Sequence, residues 1–152
     1  MLADFLLASA HHLLFFGLIA MLAVQSVLLA RPLDGAGIRR LVGVDRGYGI
    51  TAALLLVVGG ARVFHGIKGA DFYLHNPWFH AKLGCFVLAA LFSIVPTLGF
   101  LGWRRRLRDQ PDWHPAPAQV ARLRRVVRVE LVLVALILVC AAGMARYGGL
   151  HF

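Results

Sequence analysis

Five side chains in this sequence are hard to explain as packing alone: His11, His12, Arg62, His80 and Lys82. Each lies in or at the edge of a long apolar run. Imidazole nitrogens bind metals, and guanidinium and ammonium groups bind anions. A lysine can also ligate, but only as its neutral amine. At about 1.5 Å of helix per residue, His11 and His12 lie roughly 10 Å into the first run, and Lys82 reaches a similar depth in the third. Arg62 lies near the matching end of the second run, so the group forms one layer just under one face of the protein. The layer has no acidic residue to pair its cations: Asp45 and Glu130 lie toward the opposite end, and Asp71 falls in a loop. Unpaired cations inside a bilayer are costly, and an anion, a metal or a ligated cofactor would relieve that cost. The plainer alternative is that Arg62 and Lys82 snorkel outward from helix ends while the histidines only pack or hydrogen-bond.

Helical phase sharpens the choice between neighbours. Residues about eleven apart share nearly one face of a helix. Lys82 shares such a face with Ser93, with Thr97 near it, and Arg62 shares another with Thr51, with Tyr48 near it. Asp4, His11 and Gln25 align in the first run, whereas His12 aligns with Phe5, Ile19 and Ser26. The polar stripe favours His11 as the inward residue and turns His12 toward a neighbouring helix. Conventional metal spacings are missing: no two histidines stand four apart and no CxxC occurs. Cys85 and Cys140 read as small buried thiols at a shared depth, and His75 and His151 as residues in water.

These residues must be held by membrane helices. Of the 152 residues, 60% are hydrophobic and 15% charged, against about 45–50% and about 25% in soluble domains. A soluble fold would leave much of that apolar surface in water. Disorder and a disulfide scaffold are excluded by the same apolar content and by the presence of only two cysteines. A formal net charge of +9 would suggest nucleic acid in a soluble chain, but no aromatic-basic module accompanies it, so nucleic acid is not expected as a partner. Four runs approach the ~20 residues that a span needs. They predict an all-α, integral membrane four-helix bundle in one domain over 1–152, with helices at about 5–30, 48–64, 78–103 and 120–145. The first run has Asp4 and no basic residue before it, and it is too long for a secretory signal, so it reads as a retained helix.

Arginine sets the expected orientation. Twelve of the sixteen Lys and Arg residues fall in the connections after the first and third runs. The positive-inside rule makes those connections cytoplasmic and puts both termini on the periplasmic side. Pro32, Gly35 and Gly37 punctuate one connection, and Pro111, Pro115 and Pro117 the other. Between Ala118 and Glu130, Val120, Leu123 and Val127 recur at helical spacing among arginines, which suits the fourth helix extending into the headgroups. His75 and His80 flank Asn76-Pro77-Trp78-Phe79, a helix start with an aromatic interface anchor.

The stretch from Asp71 to Gly84, DFYLHNPWFHAKLG, with Trp103-Arg104-Arg105 a helix later, resembles the uncharacterised bacterial family known as domain of unknown function 2214. The opening Leu6 to His11 and the segment from Asp45 through Gly49-Ile50-Thr51-Ala52-Ala53-Leu54 fit it too. The likeness covers nearly the whole chain and implies the bacterial inner membrane without implying an activity. A more distant similarity is to the HemJ-type protoporphyrinogen oxidases, membrane proteins that bind haem b. Their first-helix histidine and the lysine of a His-x-Lys-Leu-like stretch correspond here to His11 and to Lys82 within His80-Ala81-Lys82-Leu83.

That second resemblance implies a b-type haem near the periplasmic face, with His11 and Lys82 as axial ligands and His12 in reserve. Arg62, and His80 beside it, would meet the propionates. The expected role is redox: electron transfer, or oxidation of a lipid-soluble substrate, which would make the protein a membrane oxidoreductase. The expected partners are the lipid bilayer, a quinone or another redox partner, and further copies of the chain. Two rival expectations use the same residues. In one the polar layer only fixes helix packing in a non-enzymatic scaffold or assembly protein. In the other it handles a small anion or a metal.

Overall fold

A computed structural model describes residues 2–66 and 69–146. It contains α1 (Leu2–Leu28), α2 (Gly35–His65), α3 (Gly69–Leu74), α4 (Pro77–Asp109) and α5 (Pro117–Arg146). All but the short α3 are long and apolar enough to cross a membrane. The apolar runs locate these four helices, but the helices outrun them. The second helix starts at Gly35 instead of at 48, the third ends at Asp109 instead of at 103, and the fourth starts at Pro117 instead of at 120. Hydropathy sees only the part in lipid, whereas arginine is a good helix former and continues the helix into the headgroups. Asp34 caps the extended α2, accepting from the Gly37 N–H at 2.7 Å. Asn76 caps α4, accepting from the Trp78 N–H at 3.0 Å, with Pro77 in the first turn.

α1 packs mainly on α2, and α4 mainly on α5; α2 also meets α4, and α1 also meets α5. α1 and α4 are therefore diagonal partners, as are α2 and α5, and neither diagonal pair is in backbone contact among the described residues. Neighbouring helices run antiparallel. Gly17 lies opposite Thr51 and Gly59 opposite His11, while Gly99 lies opposite Leu123 and Gly143 opposite Trp78. The start of α1 and the end of α5 thus share one end of the bundle. The two arginine-rich connections meet at the other, where His114 Nδ1 lies 3.1 Å from the Leu33 carbonyl. Leu18, Leu22, Leu41, Phe100, Val127 and Val134 are among the buried core residues. Leu13, Phe16, Val57, Leu98 and Val139 are exposed around the outside. Such an apolar exterior is costly in water and is the surface a bilayer solvates.

Candidate functional site

Near the end where α1 begins, one cavity is lined by His11 from α1, Arg62 from α2 and Lys82 from α4. His11 and Lys82 stand on diagonal helices, so they reach the same space from opposite sides. Its walls are apolar, with Phe15, Leu55, Phe79 and Phe86 among them, and Tyr73 of α3 also lines it. The cavity has a volume of about 180 Å³, and the empty space is about 860 Å³ when the open mouth is included. The absence of a side chain at Gly59 places His11: a β-carbon there would come within 3.3 Å of the imidazole Cε1 and 3.6 Å of Nδ1. The ring therefore lies against the α2 backbone.

The polar groups in this cavity are short of partners. His11 Nδ1 and Arg62 Nε are buried and have no hydrogen bond. His11 is electrostatically coupled to both Lys82 and Arg62, and no Asp or Glu lines the cavity. A cluster of cationic and neutral nitrogen groups in apolar walls suits an acceptor-rich or anionic group carried on an apolar body.

The other two residues of the sequence-derived layer are placed elsewhere. His12 is exposed, with Nδ1 2.6 Å from the Ala8 carbonyl one turn back on its own helix. His80 is exposed as well, and its Nε2 lies 2.8 Å from the Leu74 carbonyl, tying the start of α4 to the end of α3. His75 is exposed beside Asp71, with Nδ1 3.1 Å from a carboxylate oxygen. Cys85 and Cys140 are free thiols that face each other from α4 and α5. His151 lies outside the described residues. Sequence reasoning missed Tyr73 and Gly59 as shapers of the cavity. Only the Gly59-Gly60 pair, unusual in the middle of an apolar helix, signalled a close approach of side chain to backbone.

Residues 3–149 match the family of predicted membrane proteins called DUF2214. The chain belongs to that family. No curated protein and no solved structure matches it. In this DUF2214 member the stretch from Asp71 to Gly84 contributes Tyr73, Phe79 and Lys82 to the cavity. Among the described residues no three His, Cys, Asp or Glu side chains gather as a metal-binding set.

Proposed function

We propose that the protein binds a b-type haem in the cavity between α1, α2 and α4 and serves a redox role in the bacterial inner membrane. The observation that carries this reading is the arrival of His11 and Lys82 in one cavity from diagonal helices, with His11 Nδ1 and Arg62 Nε buried and unpartnered. The donor set suits the group: the His11 imidazole and the neutral Lys82 amine would hold the iron, and the Arg62 guanidinium would pair a propionate. Haem bound there would supply one-electron chemistry at the boundary of the bilayer, where a quinone or another lipid-soluble molecule has access. The chain's own part is to orient the ring, neutralise its carboxylates and exclude water with Phe15, Phe79 and Phe86. His12 and His80, bonded to backbone outside the cavity, take no part. The arginine-rich end is the cytoplasmic one in this reading, and the cavity is periplasmic.

Absorption spectra of the detergent-purified protein, oxidised and then dithionite-reduced, test the proposal. A Soret band with sharp reduced α and β bands is expected, lost in His11→Ala and Lys82→Ala and retained in His12→Ala. A colourless protein after haem supplementation during expression overturns it. A second reading, a site for the anionic head of a small lipid-soluble molecule, is favoured by the apolar walls and the unpaired Arg62 Nε. It predicts thermal stabilisation of the colourless protein by such anions, abolished in Arg62→Gln.

A further inference from the structure

A second polar level crosses the bundle nearer the arginine-rich end. Gln25 lies fourteen residues beyond His11 on α1, which is about 21 Å along the axis. At its level stand Asp45 and Tyr48 of α2, Thr97 of α4 and Glu130 of α5. Every spanning helix thus contributes a polar group. The side chains are deeply buried: Gln25 and Glu130 are 1% exposed and Asp45 is 7% exposed. Gln25 Nε2 donates to Asp45 Oδ1 at 3.4 Å, and Thr97 faces the same carboxyl. Glu130 faces Tyr48 and Asp45, yet neither of its oxygens has a partner at hydrogen-bonding distance and angle.

Charge makes this arrangement expensive. Of the charged groups close by in sequence, Arg40 and Arg46 on α2 and Arg125 and Arg128 on α5 are exposed. Arg124 is half-buried, about 9 Å from Glu130 along the helix axis. No ion pair reaches Asp45 or Glu130 among the described residues. Two ionised carboxylates enclosed without a cation repel each other and lose their hydration. Two carboxyl groups with one proton between them instead supply a donor and an acceptor. A metal cation would need a shell of oxygens, and the Gln25 amide presents its N–H to this site, not its oxygen.

The level also adjoins empty space. A cavity of about 190 Å³ reaches down to Tyr48 and has Ser93 in its lining. It shares Phe15, Leu55, Phe86 and Ile137 with the outer cavity. Tyr48 thus both lines this space and faces Glu130.

We propose that Glu130 and Asp45 form a proton-binding site buried in the bundle near its arginine-rich end, with Tyr48 as its neighbour and Gln25 and Thr97 holding Asp45 in place. The site does not depend on what the outer cavity binds. When it is loaded, one of the two acids carries the proton; when it is unloaded, the proton has left and two buried negative charges remain.

Infrared spectroscopy of the purified full-length protein tests this through the carbonyl stretch of protonated carboxyl groups. The wild type is expected to show such a band near neutral pH, deuterium-sensitive and independent of sodium or potassium. Glu130→Gln should lose the band or displace it to the remaining acid, and Asp45→Asn should shift its frequency. Two variants are used so that a folding failure of one, visible in its circular dichroism, leaves the other to decide. The proposal is overturned if no such band exists near neutral pH, or if it persists unshifted in both variants. It is equally overturned by a band that emerges only when alkali cations are replaced by a bulky organic cation, since the site would then hold a metal ion.

Discussion

His11 owes its position to a side chain that Gly59 lacks. In Gly59→Ala the new β-carbon would stand 3.3 Å from the imidazole, so the ring must shift by a few tenths of an ångström. At Gly43, away from the cavity on the same helix, a β-carbon meets nothing within 4 Å. Haem content per protein should therefore fall several-fold in Gly59→Ala and stay unchanged in Gly43→Ala, while both fold normally by circular dichroism. Equal haem content in the two variants would remove His11 from the proposed ligand set. The same residues show what was legible in the sequence. His11 could be preferred over His12 because Asp4 and Gln25 share its face, and phase is a property of one helix. The placement of His80 could not be read this way, because its partner is the carbonyl of Leu74 at the end of α3. No apolar periodicity announces that six-residue helix, so the sequence left His80 free to join the cation layer.

At the scale of elements, two glycines set how closely helices approach, and they differ in what a methyl group would meet. A β-carbon at Gly143 would fall 2.7 Å from the Trp78 ring, a rigid plane seated at the start of α4. At Gly99 it would fall 2.6 Å from Leu123 Cδ1, the far end of a side chain that can rotate. Gly143→Ala is expected to destabilise by about 1–3 kcal/mol through overpacking, and Gly99→Ala by less. Denaturant unfolding in micelles checks the order, and Trp78→Leu in the Gly143→Ala background should recover part of the loss. The spans themselves were legible because a helix in lipid must be continuously apolar. Their overhangs were not, because the α2 segment Gly35–Gly47 and the α4 segment Arg104–Asp109 leave the hydrocarbon without ceasing to be helical. Pairing between helices was also out of reach, since small residues occur on several faces and only the packed structure shows which of them meet a neighbour.

For the whole molecule, arginine placement carries the proposed orientation, and it can be checked without reference to any ligand. With Cys85 and Cys140 replaced by Ser, His75→Cys should react with a membrane-impermeant maleimide in spheroplasts. Asp112→Cys should react only after the membrane is opened, and the reverse pattern would invert the topology. The grouping of the helices carries a consequence of another kind. The more extensive packings, α1 with α2 and α4 with α5, join helices that follow each other in the chain. The protein is thus two helical hairpins laid side by side. Severed after Gly66 and expressed together, the halves should still copurify and restore both polar levels. Where two copies lie close in the bilayer, hairpins can also be exchanged between them, and each copy would then complete its cavity with a borrowed Lys82.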